Sequence, residues 1–319
     1  MISTPWVEKY RPSKFEDIIL DRKNKQIFEN IIETDCFPNL LAHGFPGTGK
    51  TTTIMNLISL YFLKKKISPF SMIIHLNASD ERGIDIIRNQ INNFVNSKSL
   101  LFRKENCLKF VVLDEIDYMT KNAQQALKYL IQTTTTDVRF CLMCNYISRI
   151  DEGLQNDFIK IRFNSLPLSN TFSFLKEICI NEKVDIEDVD LYKVIKFFKN
   201  DMRSMINFLQ CNQHCQGEIM KKSIVCDEDF EIFLKVLTSS QNDIDVVCEC
   251  LYQITISKNI SHKQFFLSFL HYCFQQNMEI MFAKETLNGI EDLLHNSYCE
   301  TKYFIPLALK KLQEWLKEK

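Results

Sequence analysis

The chain has 319 residues, a formal net charge of -1, 45% hydrophobic and 25% charged residues, which is ordinary composition for a packed protein of two or three domains. So little net charge excludes a global attraction to nucleic acid or membrane, and any such contact requires a local basic surface. No apolar run approaches membrane-span length and the first residues lack a signal-peptide pattern, so an intracellular protein is expected, with its twelve cysteines reduced.

Residues 3–20 open the chain with Pro5 and Pro12, which discourage a continuous helix and predict an extended arm. Trp6, Tyr10, Ile18 and Ile19 on it can pack against a flat purine or against the domain itself. Next, Asn39-Leu40-Leu41-Ala42 reads as a short buried strand. It leads into Gly44-Phe45-Pro46-Gly47-Thr48-Gly49-Lys50-Thr51, followed by Thr52 and by Ile54, Leu57, Ile58, Tyr61 and Phe62 at helical spacing. The loop fits G-x-x-x-x-G-K-[ST], and strand, loop, helix is the order a phosphate-binding loop requires. Glycines let backbone N–H groups turn toward an anion, the helix adds its positive end, and the lysine meets the outer phosphates. Three of the chain's seven glycines fall within these residues.

Met72 to Leu76 reads as a second strand. After Asn77 to Gly83, a helix can start at Asp85 with Ile87, Ile91, Phe94 and Val95 on one face. Arg82 and Arg88 then lie toward another surface, where they are either solvated or placed against phosphate backbone. Phe110-Val111-Val112-Leu113 is a continuous apolar run ending in Asp114, Glu115 and Asp117, as a central parallel strand delivering acids to the carboxyl edge of a sheet would be. Downstream of a phosphate loop, Asp114 is a candidate to hold Mg²⁺ and Glu115 to prepare water.

An amphipathic helix follows through Ala123, Leu127 and Ile131, with Lys121 and Lys128 off its apolar face. A strand from Val138 to Cys144 then leads to Asn145, whose amide can watch a terminal phosphate or make a turn. Cys141 and Cys144 have C-x-x-C spacing but no second pair nearby, so they read as core thiols. Phe158, Ile161 and Phe163, interleaved with Lys160 and Arg162, give a last strand. Beyond Pro167 only helical patterns recur: around Phe172 to Cys179, Val194 to Phe198, and Met202 to Leu209, the last capped by Asp201 and carrying Arg203. From about Asp227, helix-length segments cover Phe230 to Leu237, Ile244 to Ile256, Lys263 to Phe274, Leu287 to Leu294 and Pro306 to Leu316.

Taken together, Pro5 to Pro12, Gly44 to Thr51, Leu76 to Asp85 with Arg88 to Ile91, Val112 to Glu115, Cys144 to Tyr146 and Asp201 to Arg203 resemble one family, the small subunits of replication factor C. These are AAA+ ATPases that load sliding clamps. The resemblance covers roughly residues 5–210. It implies an α/β AAA+ P-loop domain with a parallel sheet (1–166), a helical lid (167–226) and a helical collar (227–319). It also implies ATP and Mg²⁺. Lys50 would contact the outer phosphates, Thr51 and Asp114 would hold the metal, and Glu115 would prepare the attacking water. Asn145 and Arg203 would act as sensors, and Val7, Tyr10, Arg11 and Pro12 would line the base side.

The resemblance further makes Arg82, Arg88 and Lys128 candidates to track DNA backbone, and Leu100, Leu101 and Phe102 candidates to meet the clamp. The implied partners are other subunits of a hetero-pentamer, a ring-shaped clamp and primer-template DNA, at a nuclear or cytoplasmic replication site. The sequence also departs from the family. Small subunits usually carry Ser-Arg-Cys before the last strand, its arginine serving the neighbour's ATP site. Here Gln155-Asn156-Asp157 stands in that place, so this chain's own arginine finger is expected to be absent. A non-catalytic nucleotide-binding assembly subunit, or a different DNA-remodelling ATPase of the superfamily, are the alternatives.

Overall fold

The computed structural model describes residues 4–69, 71–78, 87–97, 107–134, 137–198, 201–213, 225–239, 243–258, 260–276, 287–288, 291 and 304–317, the side chains of 87–88, 263, 304–305 and 314–317 excepted. The chain divides into two compact units, one of Met1–Val184 with Phe198–Gln213 and one of Asp185–Phe197 with His214–Lys319.

The first unit is built on five parallel strands, β1 (Leu40–Gly44), β2 (Ile73–Asn77), β3 (Lys109–Asp114), β4 (Val138–Cys144) and β5 (Ile159–Phe163), in the order β2-β3-β4-β1-β5. The central runs are continuously apolar because both faces of the sheet are covered. Leu40, Ala42, Phe110, Val112, Cys141 and Met143 enter one core with Phe28, Ile54, Leu57 and Phe62, from helices α2 (Arg22–Thr34) and α3 (Lys50–Lys65). Leu41, Val111, Leu113, Phe140, Leu142 and Cys144 enter the other with Ile91, Val95, Ala123 and Leu127. Side chains alternate along a strand, so Cys141 and Cys144, three positions apart, point to opposite faces. Each is a buried thiol within its own core layer, and burial pushes the Cys144 thiol up to about 12.

Two local expectations change. The arm is not wholly extended: Trp6–Lys9 forms one helical turn, α1. Pro5, with φ near -54°, presets its entry. Arg11 precedes Pro12, which disfavours continued helix. In the expected helix after β2, the described residues form a π-helical turn at Ile87–Ile91 and continue as α4 (Asn92–Asn96), with Ile91 and Val95 buried and Phe94 half-buried. Asp85 lies outside the described residues.

Helices α5 (Lys121–Thr133) and α6 (Glu152–Gln155) flank β4. Helices α7 (Leu168–Glu182) and α9 (Met202–Cys211) complete the first unit. The second unit holds α8 (Asp188–Phe197), α10 (Asp227–Thr238), α11 (Ile244–Lys258), α12 (His262–Gln275) and α13 (Phe304–Lys317). Its core gathers Phe230, Phe233, Leu237, Leu251, Phe265, Phe269 and Leu312, with the Phe233 and Phe269 rings edge-on at 4.9 Å. The expected Leu287 to Leu294 segment lies mostly outside the described residues.

Candidate nucleotide site

The site forms where β1, β4 and β3 end side by side, because the strand order sets β4 between the other two. Gly44 closes β1, and the loop after it turns through Gly47 (φ 72°) and Gly49 (φ 84°) into the N-terminus of α3. Left-handed backbone at these two positions is open to glycine without strain. The Thr48 hydroxyl donates to the Phe45 carbonyl at 2.8 Å, and the Thr53 hydroxyl to the Gly49 carbonyl at 2.9 Å, so the loop is braced internally.

Lys50 is 8% exposed. Its ammonium donates to the carbonyls of Gly44 and Phe45, each at 2.9 Å, and to the Asn145 amide oxygen at 2.8 Å. Burial pulls its pKa below the ordinary lysine value, against the opposing pull of Asp114. The Thr51 hydroxyl donates to Asp114 Oδ2 at 2.6 Å, while Asp114 Oδ1 accepts the Glu115 N–H at 2.9 Å. Glu115 adopts left-handed backbone, φ 55°, a conformation that costs energy for a non-glycine residue. Asp117, 6% exposed, accepts the Tyr146 N–H at 3.3 Å and so steadies the residue after Asn145. Sequence reasoning gave Asp117 no role; the signal was its place two residues beyond Glu115.

A cavity of about 450 Å³ joins these groups. Pro46, Gly47, Thr48, Gly49, Lys50, Thr51, Thr52, Asp114, Glu115 and Asn145 line it, together with Val7, Tyr10, Arg11 and Pro12 of the arm and Arg203 of α9. Gly44 lies at the root of the loop, outside that lining. The Phe45 side chain also lies outside it and is 65% exposed, because its carbonyl rather than its ring faces Lys50. Ile18, Ile19, Leu166, Phe174, Met202 and Ile206 add apolar lining. The helical pattern through Phe172 to Cys179 does not single out Phe174 as facing a cavity, and Leu166 stands in a connection with no period.

The lining is suited to a magnesium-bound nucleoside triphosphate. A buried ammonium lies in a glycine loop among carbonyl and amide oxygens that phosphate oxygens can replace, and a paired hydroxyl and carboxylate offer hard oxygen ligands. At Gly47 a Cβ would stand 1.8 Å from Asp201 Oδ1, so Asp201, at the start of α9, approaches the loop as closely as a glycine permits. Asp201 caps α9 by accepting the N–H groups of Arg203 and Ser204, which holds Arg203 in the first turn.

The remaining sequence candidates lie elsewhere. Lys128 is half-buried on α5, its ammonium beside Gly153 and Asp151. Arg88 falls in the π-helical turn, and its side chain is outside the described residues, as are Arg82, Leu100, Leu101 and Phe102. Asn156 is exposed at the C-terminal cap of α6, just before β5.

A five-stranded parallel sheet with this loop, acid pair and polar strand end defines an AAA-type P-loop ATPase domain. Residues 40–166 match the family described as "ATPase family associated with various cellular activities (AAA)". A solved structure of the Thermotoga maritima RuvB Holliday junction branch migration motor shares the fold at a TM-score of 0.50 and 14% identity, over 84% of this chain and 91% of that one.

Among curated proteins, Homo sapiens replication factor C subunit 5 is 38% identical over 69% of this chain and 63% of its own length. Schizosaccharomyces pombe replication factor C subunit 3 is 37% identical over 74% of this chain and 69% of its own. A putative replication factor C small subunit of Acanthamoeba polyphaga mimivirus is 42% identical over 65% and 60%. The chain belongs to the replication factor C small-subunit family. Its match to the human protein spans 63% of that relative's length.

Proposed function

We propose that the protein is an ATP-binding, ATP-hydrolysing subunit of a sliding-clamp loader, a hetero-pentamer that opens a ring clamp and loads it onto primer-template DNA during replication and repair. The observation that carries the reading is the convergence of Lys50, Thr51, Asp114, Glu115, Asn145 and Arg203 on one cavity in a chain of this family.

In this reading the triphosphate lies along the loop, with Lys50 on its outer phosphates. Thr51 and Asp114 hold Mg²⁺, which when bound supplies charge neutralisation. Glu115 orients and deprotonates the attacking water, Asn145 positions that water and the terminal phosphate, and Arg203 reports the phosphate to the lid. Positioning and preorganised charge carry most of the catalysis. ATP and ADP then favour different arrangements of the subunit ring, and clamp opening and release follow as a population shift. The three-domain division at about 166 and 226 belongs to this proposal. So do DNA contacts through Arg82, Arg88 and Lys128, and clamp contact through Leu100, Leu101 and Phe102.

The test is ATP turnover by the assembled complex with clamp and primed DNA. Glu115→Gln is expected to abolish turnover at this site while nucleotide still binds, and Lys50→Ala to abolish both. If neither change lowers turnover or clamp loading, the hydrolytic reading fails and a non-catalytic assembly role replaces it.

A further inference from the structure

The arm that walls the base side of the cavity is held by two different elements. Toward α3, Arg11 Nε donates to the Thr52 hydroxyl at 3.2 Å, and the Asn56 amide donates to the Pro12 carbonyl at 3.0 Å. Toward the lid helices, the Trp6 N–H donates to Gln210 Oε1 of α9 at 2.9 Å, with the indole 5% exposed. The Tyr10 hydroxyl and the Lys9 ammonium both donate to Glu182 Oε1, the last residue of α7, at 2.6 and 2.5 Å. Between these anchors, Val7, Tyr10, Arg11 and Pro12 face the cavity. Glu182 itself is not part of that lining.

We propose that Glu182 is a positioning residue for the base moiety of a purine nucleotide. By fixing Tyr10 and Lys9 to α7 while Arg11 and Pro12 are fixed to α3, it sets the distance between the arm and α7, and so the width of the cavity's base end. The lid and the arm then move as one wall. Nucleotide in the cavity favours the lid position that keeps the wall in place, and the lid position sets affinity for the base. This rests on the nucleotide reading above and extends it to a residue outside the cavity.

The contacts differ in weight. Lys9 is half exposed, and exposed ion pairs contribute little. The Tyr10 contact is the consequential one: a charge-assisted bond to a carboxylate only 16% exposed, from a side chain that lines the cavity. Hydrogen bonds from Lys9 and then Tyr10 hold the Glu182 carboxyl below its ordinary pKa, so the acceptor is ionised at neutral pH.

The experiment measures binding of ATP, ADP and inorganic triphosphate to the full chain by titration calorimetry. Glu182→Ala is expected to weaken ATP and ADP about tenfold, the effect of losing one well-made hydrogen bond, while inorganic triphosphate binds as in wild type. Tyr10→Phe should reproduce the loss. Glu182→Gln, which keeps an acceptor oxygen, should recover most of it. If Glu182→Ala fails to fold, Glu182→Gln paired with Tyr10→Phe carries the same comparison. Equal loss of nucleotide and triphosphate would mean general loosening and overturn the proposal, as would no loss of either. Failure of the wild-type chain to bind ATP would instead overturn the underlying nucleotide reading.

Discussion

At the scale of single residues, the site depends on backbone that few side chains tolerate. Gly47 combines φ 72° with a Cβ position only 1.8 Å from Asp201 Oδ1, and Asp201 cannot withdraw without releasing its cap on α9. Gly47→Ala therefore adds about 1–3 kcal/mol of backbone strain and sets a methyl group against the carboxylate. A lower Tm and at least a tenfold weaker nucleotide affinity are expected, with part of the affinity restored in the pair Gly47→Ala/Asp201→Ser. Unchanged affinity in Gly47→Ala would mean that Asp201 does not bear on the loop.

His43, on β1 beneath the loop, responds to pH. Burial first, then the nearby Arg162 and Lys160, hold its pKa below 6.5. The unfolded chain therefore takes up the proton at a higher pH than the folded one, and this residue's contribution falls as pH drops below 6.5. The Tm loss between about pH 7.5 and 5.5 should be smaller in His43→Asn than in wild type. The phosphate loop and the acid pair were legible because their spacing is itself the chemistry. The strained φ of Glu115 and the hold of Asp117 on Tyr146 were not, since both arise from tertiary contacts no local pattern records.

At the scale of elements, the strands were legible because a sheet covered on both faces demands unbroken apolar runs. Phe110 shows how much rests on one of them. It is fully buried and meets the rings of Phe37, Tyr61 and Phe62 edge-on at 4.7, 5.3 and 5.6 Å. Phe110→Ala removes that cluster's centre, and a loss of about 3–5 kcal/mol in chemical denaturation is expected. A loss below about 1 kcal/mol would mean the layer repacks around the gap. The helical turn of the arm was not legible, because two prolines seven residues apart leave room for a single turn that local rules score as extended. Only Trp6 sinking beside Gln210 decides it.

At the scale of the whole molecule, Asn156 is exposed at the C-terminal cap of α6, the place where the resemblance to clamp-loader small subunits leads an arginine to be expected. On the clamp-loader reading proposed above, a chain without that arginine would fit an end position in the ring, where no neighbour's ATP site would face that edge. Asn156→Arg should then leave turnover of the assembled complex unchanged. A rise of tenfold or more would put Asn156 against a working site and overturn the end position, since a supplied arginine contributes about 10³–10⁵ in related phosphoryl transfers.

The strand order carries a further consequence, for the order of synthesis. Among the described strands, the one that bears the phosphate loop pairs with β4 and β5, both made later. As the polypeptide leaves the ribosome, β1 meets its first partner among the described strands when Val138–Cys144 emerges, and its second when Ile159–Phe163 follows. Such late, long-range pairing is slow and leaves an aggregation-prone edge in the meantime. Arrested nascent chains that end before β4 should thus be cleaved readily by protease within Leu40–Gly44, and protection should appear only once β5 has been made.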